Sequence, residues 1–121
     1  MTTANVLDGL RVLVVEDEAA IALLVEHMLE TLGCQVVGSA ATVSEALALV
    51  RNGGFDFVLL DRNLRGERVD PIALELESRG IPYAFASGYG SLPEKGSFTA
   101  QTLQKPFRLH DLERMLRQTL G

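Results

Sequence analysis

The chain has 121 residues, of which 47% are hydrophobic and 22% are charged, a balance typical of one ordinary globular domain. Its net charge of −5 argues against a nucleic-acid-binding surface, which would need a clustered basic face. No apolar stretch approaches the roughly 20 residues that span a bilayer, and the N-terminus lacks the basic start and apolar core of a secretory signal. The single cysteine excludes an intrachain disulfide. We therefore expect a cytoplasmic protein with one domain over residues 1–121 and a core at about 10–120.

The first half of the chain alternates short apolar runs with stretches of helical period. Residues 10–15 predict a buried strand, and apolar residues recur at helical spacing over 21–32. Gly33 is placed to end that helix, and Val36 and Val37 mark a second strand. The sequence at 42–45, Thr-Val-Ser-Glu, fits a capping box that begins a helix ending near Gly53.

The second half continues the alternation, although its breakers are denser. Asp70-Pro71 predicts an N-cap followed by proline at the first helical position, and this short helix ends at Gly80. Four glycine or proline residues interrupt 88–100, so that any helix there is short or irregular. The remaining predicted elements are strands at 55–60, 81–86 and 101–104 and a final helix at 109–120.

This strict alternation predicts an α/β fold in which helices cover both faces of a doubly wound parallel sheet. Ligands bind at the carboxyl ends of the strands in such sheets. The polar residues that follow four of the predicted strands are Glu16-Asp17, Asp61, Ser87 and Lys105. We therefore expect them to converge on one site.

Three carboxylates at one site must take up protons or bind a cation, because two of them about 4 Å apart repel by about 4 kcal/mol at an effective dielectric near 20. All-oxygen ligands favour Mg²⁺. The metal, the Lys105 ammonium and the Ser87 hydroxyl would surround a transferring phosphoryl group, and Asp61 would be the nucleophile that forms an acyl phosphate. The alternatives are a solvated acidic rim and a plain salt bridge from Lys105 to Asp61.

Other phosphate chemistries lack their motifs. No G-x-x-x-x-G-K-[ST] loop follows the first predicted strand, and no G-x-G-x-x-G sequence is found there. His27 and His110 lie in separate predicted helices, where surface or packing roles are the simpler interpretation. The charged stretch that contains Arg62, Arg65, Glu67 and Arg68 reads as a solvated loop that borders Asp61 and could contact a partner.

Four segments together resemble the receiver domain of bacterial two-component response regulators, in the order and roughly the spacing of that family. They are Val14-Val15-Glu16-Asp17-Glu18, Leu59-Leu60-Asp61-Arg62-Asn63-Leu64, Ser87-Gly88-Tyr89 and Lys105-Pro106-Phe107. The resemblance implies a (βα)5 flavodoxin-like fold with a five-stranded parallel sheet of order 2-1-3-4-5, and a cis Lys105-Pro106 bond.

The resemblance also implies a role for each site residue. Asp61 accepts a phosphoryl group from a histidine kinase or a histidine phosphotransfer protein. Mg²⁺, or Mn²⁺ in its place, is held by Asp17, Asp61, the backbone carbonyl of Asn63 and, through water, Glu16.

The remaining roles concern the phosphoryl group itself. Ser87 hydrogen-bonds one phosphoryl oxygen and Lys105 pairs with another, while Asn63 and Tyr89 tune the lifetime of the phosphorylated state.

One position departs from the family pattern. Thr102 stands where a tyrosine or phenylalanine usually moves inward on phosphorylation. Phe85-Ala86-Ser87-Gly88-Tyr89 resembles the Phe-Ala-Thr-Gly-Tyr signature of a receiver subgroup, many of whose members stand alone and lack that aromatic residue. We therefore expect a different readout of the signal.

The preferred hypothesis is a stand-alone receiver that signals to a downstream protein by phosphorylation-dependent binding or through a phosphorelay, and is not an enzyme beyond its own phosphorylation and slow dephosphorylation. Segment 88–100 would then move toward the phosphoryl group. The alternatives are a receiver excised from a larger regulator, a pseudo-receiver that is never phosphorylated, and an independent phosphatase or small-molecule enzyme on the same fold.

Overall fold

The structure is a computed structural model that describes residues 7–88 and 100–120. In this part of the chain the elements follow in order as β1 (Arg11–Val15), α1 (Ala19–Thr31), β2 (Gln35–Ala40), α2 (Val43–Asn52), β3 (Phe57–Asp61), β4 (Asn63–Leu64), β5 (Glu67–Arg68), α3 (Asp70–Ser78), β6 (Tyr83–Ser87), β7 (Thr102–Gln104) and α4 (Leu109–Leu120). None of the helices among these residues is both long enough and apolar enough to cross a bilayer.

Five strands form one parallel sheet in the order β2-β1-β3-β6-β7. Since β4 and β5 form a separate antiparallel hairpin, the order among the sheet strands is the predicted 2-1-3-4-5. The central strands β3 and β6 are buried along their whole length, which explains their continuous apolar sequence. The doubly wound parallel sheet and the strand order expected from the sequence are therefore confirmed.

Alternate side chains of each strand enter the two hydrophobic cores on opposite faces of the sheet. On β1, Val12 and Val14 pack with α1 and α4, whereas Leu13 and Val15 pack with α2 and α3. Both faces are thus covered, and the carboxyl ends of the strands remain available for polar residues.

Two strand boundaries differ from the prediction in a way that matters for the site. Strands β3 and β6 each begin two residues later than predicted and extend one residue further, so Asp61 and Ser87 are their last residues. Both polar side chains are therefore held by the sheet itself.

The hydroxyl cap predicted for the N-terminus of α2 is present, but the Glu45 carboxylate binds a different backbone N–H from the one predicted. Thr42 Oγ1 accepts a hydrogen bond from the Glu45 N–H at 3.1 Å. The Glu45 carboxylate accepts from the N–H of Ala41 at 3.0 Å, one residue before the N-cap, where the capping-box pattern would have used Thr42. Both ends of the arrangement still satisfy free backbone donors.

The prediction that Asp70 is the N-cap of α3 was wrong. Val69 is the N-cap, and Asp70 is the first residue of the helix. The Asp70 carboxylate instead pairs with the Arg68 guanidinium at 3.2 Å, and no side chain caps this helix. An acidic side chain in the first turn still interacts favourably with the helix dipole.

The stretch after Asp61 is solvated as expected, since Arg65, Glu67 and Arg68 are exposed, but its backbone forms a hairpin of β4 and β5 and not an irregular loop. Arg65 and Gly66 both have positive φ, at 52° and 79°, as a two-residue type I′ turn requires. The Asn63 side chain accepts a hydrogen bond from the Gly66 N–H at 2.9 Å, and Leu64 is fully buried. The hairpin is thus fixed to the body of the domain beside Asp61.

Candidate functional site

The carboxyl ends of β1, β3, β6 and β7 bring the predicted polar residues together. Glu16 directly follows β1, Asp61 and Ser87 end β3 and β6, and Lys105 directly follows β7. The Lys105 N–H donates to the Ser87 carbonyl at 2.8 Å, which continues the pairing of these strands past the end of β7. The Lys105-Pro106 peptide bond is cis, as the family resemblance implied.

Three carboxylates form a compact cluster at these strand ends. One oxygen from each of Glu16, Asp17 and Asp61 lies within 4.8 Å of the other two. Glu16 and Asp61 are buried, at 7% and 5% exposure, and Asp17 is half-buried. Such an all-oxygen set fits a hard divalent cation such as Mg²⁺ better than a transition metal that prefers nitrogen or sulfur.

Lys105 supplies positive charge to two of the three carboxylates. Its Nζ lies 2.6 Å from Glu16 Oε1 and 3.3 Å from Asp61 Oδ2. Burial lowers the pKa of Lys105, but the hydrogen bond to Glu16 and the charges of Asp61 and Glu16 outweigh it, so the net pKa is raised. The salt bridge to Asp61 considered from the sequence is therefore present, and a shorter contact to Glu16 accompanies it.

The Asp61 carboxylate is held at both oxygens. Oδ1 accepts a hydrogen bond from the Asn63 N–H at 3.1 Å, while Oδ2 faces Lys105. Burial and the neighbouring Glu16 nevertheless raise the pKa of Asp61 to about 7, against the lowering effects of Asn63 and Lys105. A further cation at the cluster would favour the ionised, nucleophilic form.

Ser87 ends β6, one residue after Ala86, which lies in register with Asp61 on the neighbouring strand. The residue is 2% exposed, and its Oγ makes no hydrogen bond in the part of the chain that the structure describes. A buried hydroxyl without a partner is costly, by about 1–3 kcal/mol. An oxygen-rich ligand beside Asp61 would relieve that cost.

Arg65 is a site residue that sequence reasoning missed. Its Nε lies 3.9 Å from Asp17 Oδ2, and the side chain lines the same cleft as Asp61 and Lys105. The sequence carried no clear signal for this contact, because Arg65-Gly66 is not one of the dipeptides typical of a two-residue hairpin turn.

A cleft of about 550 Å³ extends from the carboxylates along α1. Its far end is apolar and is lined by Ile21, Leu24, Met28, Pro106 and Phe107, among others. Leu24 is 55% exposed, and its neighbour Leu23, outside the cleft, is 69% exposed. A charged centre thus adjoins an apolar surface.

Thr102 lies in a strand, as the sequence predicted for residues 101–104. Thr102 is exposed on the edge strand β7 and lies in register with Phe85 of β6. The Arg62 guanidinium carbon lies 4.3 Å from the centre of the Phe85 ring, a cation–π contact next to the sheet end. Tyr89 and most of segment 88–100 lie outside the described residues, so the predictions for them stay predictions.

Comparison with protein families matches residues 12–117 to the response regulator receiver domain. A search of curated proteins gave no match. Among solved structures, that of SdrG from Sphingomonas melonis Fr1 is 40% identical, with a TM-score of 0.84 over 93% of this chain and 98% of that one.

Two further structures extend the comparison. A BeF3-activated conformation of SdrG from Pseudomonas melonis Fr1 is 39% identical, with a TM-score of 0.75 over 92% of this chain and 96% of that one. The response regulator PhyR from Brucella abortus is 32% identical, with a TM-score of 0.81 over 93% of this chain. The match covers 48% of the PhyR chain, so this chain spans about half of it.

Proposed function

This chain belongs to the response regulator receiver domain family, and from that premise we propose that it accepts a phosphoryl group on Asp61. The donor is the phosphohistidine of a histidine kinase or of a histidine phosphotransfer protein. The observation that carries the proposal is the position of Asp61, buried at the end of a central strand between a lysine ammonium and two further carboxylates.

The transfer needs little covalent chemistry from the protein. An Asp61 carboxylate oxygen attacks phosphorus, the bond between phosphorus and the donor imidazole nitrogen breaks, and the imidazole leaves with the electron pair. Catalysis is therefore a matter of positioning and of neutralising charge. The Asn63 N–H and Lys105, which hold the two carboxylate oxygens of Asp61, support this positioning role.

Mg²⁺, or Mn²⁺ in its place, would be held by Asp17, Asp61 and the Asn63 backbone carbonyl, with Glu16 acting through water. When bound, the ion supplies positive charge that offsets the repulsion within the cluster and neutralises the phosphoryl oxygens. The Asn63 side chain is engaged in the hairpin turn, which supports a role for its main chain in the site.

Lys105 and Ser87 would bind the phosphoryl oxygens of the product. The Lys105 ammonium would then exchange part of its contact with Glu16 and Asp61 for a phosphoryl oxygen. The Ser87 hydroxyl, which has no hydrogen-bond partner among the described residues, would donate to another. Asn63 and Tyr89 would tune the lifetime of this state.

The donor protein would dock along the cleft beside α1. It must bring its phosphohistidine to Asp61, and the surface continuous with Asp61 is apolar at Leu24, Met28 and Phe107. An apolar face of a donor helix would fit this surface, while the acidic cluster and its cation face the phosphoryl group.

We place the chain in the cytoplasm as a stand-alone receiver of the Phe-Ala-Thr-Gly-Tyr subgroup, signalling by phosphorylation-dependent binding to a downstream protein or within a phosphorelay. The chain matches nearly all of the SdrG chain and about half of the PhyR chain, and these overlaps are compatible with both a stand-alone receiver and a receiver excised from a larger regulator. The intact acidic cluster, Ser87 and Lys105 favour phosphorylation over the pseudo-receiver alternative.

A small phosphodonor such as acetyl phosphate tests the proposal. In the presence of Mg²⁺, the wild-type chain should gain one phosphoryl group by intact mass, because Asp61 is a positioned nucleophile. Asp61→Asn should gain none. Chelation of the metal should abolish labelling of the wild type.

Asp70→Asn is the matched control, since Asp70 is a more exposed aspartate of the neighbouring hairpin–helix junction. It should be labelled like the wild type. Equal labelling of wild type and Asp61→Asn would contradict the assignment, and absence of labelling from both small donors and phosphorylated kinases would favour the pseudo-receiver.

A further inference from the structure

We infer that Arg65 is the resident counter-ion of Asp17 and competes with the divalent cation for that carboxylate. The inference rests on the proposed function, because it concerns the metal site of the same cluster. Through this competition, Arg65 would lower the affinity for Mg²⁺ and would change how that affinity depends on salt.

Among the residues that the structure describes, Lys105 and Arg65 provide the positive charges that pair with the cluster. Lys105 contacts Glu16 and Asp61, at 2.6 and 3.3 Å. Among the described residues, Arg65 is the cation that pairs with Asp17, with 3.9 Å between Nε and Oδ2. In the absence of metal, the Asp17 carboxylate thus pairs with the Arg65 guanidinium and not with the Lys105 ammonium.

The backbone conformation at Arg65 places the start of its side chain beside the cluster. Arg65 occupies the first central position of the hairpin turn, with φ of 52°, a region that non-glycine side chains adopt rarely. The turn is held by the hydrogen bond from the Gly66 N–H to Asn63 and by the pairing of Leu64 with Glu67. The origin of the side chain is therefore fixed a few residues from Asp61.

The guanidinium itself can leave without disturbing the fold. The Arg65 side chain is 68% exposed, whereas that of Asp17 is 16% exposed. A cation that binds Asp17 would displace the arginine into solvent, while Asp17 stays in place. Since exposed ion pairs are weak and screened by salt, the competition should be modest and should fade at high ionic strength.

Mg²⁺ titration of the full chain by isothermal calorimetry at low ionic strength tests the inference. Arg65→Asn removes the guanidinium and keeps a residue that tolerates positive φ. It should bind Mg²⁺ about two- to five-fold more tightly than the wild type, the range expected for loss of an exposed ion pair. The difference should shrink when salt is raised, and Arg65→Lys should restore an affinity close to that of the wild type.

Arg68→Asn is the matched control, because Arg68 lies on the same hairpin, carries the same charge and pairs with Asp70. It should leave Mg²⁺ affinity unchanged. Unchanged or weaker binding by Arg65→Asn, or equal tightening by Arg68→Asn, would overturn the inference while leaving the proposed function intact. If the wild-type chain binds no Mg²⁺, or if Asp17→Asn does not weaken binding, the metal site and the inference fail together.

Discussion

At the scale of single residues, the ionisation of Asp61 links the chemistry of the site to the stability of the fold. Burial and the neighbouring Glu16 raise the pKa of this carboxyl to about 7 from an ordinary value of 3.8. The folded chain therefore holds a proton on Asp61 more tightly than the unfolded chain does. An acid with a raised pKa destabilises the fold above its folded pKa and has no effect below its unfolded pKa.

This shift predicts a pH-dependent difference between wild type and Asp61→Asn without metal. At about pH 4 the two should be similarly stable. As pH rises toward 7, the wild type should lose stability relative to the variant, by up to a few kcal/mol, since each pKa unit corresponds to about 1.4 kcal/mol. Urea unfolding at several pH values with a chelator measures the difference.

Saturating Mg²⁺ should reduce this difference, because the cation favours the ionised carboxylate. A stability difference independent of pH between 4 and 8 would show that Asp61 ionises normally in the fold.

The site residues differ in how far the sequence could predict them. Asp61 and Ser87 end apolar strands and Lys105 directly follows β7, so the geometry of a parallel sheet alone brings them together. The contact of Arg65 with Asp17 depends on a turn in which Arg65 and Gly66 both have positive φ. The residue types at these two positions predict such a turn only weakly. The division of charge between Lys105 and Arg65 therefore required the structure.

At the scale of elements, the strands and helices of the sheet layers were predictable because burial gives the helices a periodic pattern and the central strands a continuous apolar run. The β4–β5 hairpin was not, since strands of two residues carry no period. The N-cap of α3 was misplaced by one residue, because Asp70 is the first residue of the helix and its carboxylate pairs with Arg68. Both features depend on contacts between residues that are close in the sequence, at a scale too short for a hydrophobic pattern to show them.

The cap of α2 gives a direct test of the predicted element boundaries. Thr42→Ala removes the oxygen that accepts from the Glu45 N–H and should lower the free energy of unfolding by about 1 kcal/mol. Thr31→Ala is the control, since Thr31 is an exposed residue of α1 whose hydroxyl bonds only to a helix carbonyl. Its effect should be within about 0.5 kcal/mol.

Chemical denaturation of both variants measures these changes. An equal loss of stability in the two variants would mean that the Thr42 cap contributes nothing beyond the general effect of a threonine-to-alanine change.

At the scale of the whole molecule, different parts of one sheet carry the hydrophobic cores and the charged site. Its two faces bury the apolar side chains against four described helices, and its carboxyl edge carries the charged cluster. Thr102 lies in register with Phe85, and a readout that uses no aromatic residue at position 102 stays a prediction. The expected motion of segment 88–100 remains a prediction.

The most direct test of the central claim is chemical identification of the phosphorylated side chain. After transfer from a phosphorylated histidine kinase in Mg²⁺, borohydride reduction of an acyl phosphate on Asp61 should convert that residue to homoserine, detected by peptide mass spectrometry. The account predicts this product at position 61 and its loss on chelation of the metal. Reduction at another carboxylate, or none in a chain that has gained a phosphoryl group, would contradict it.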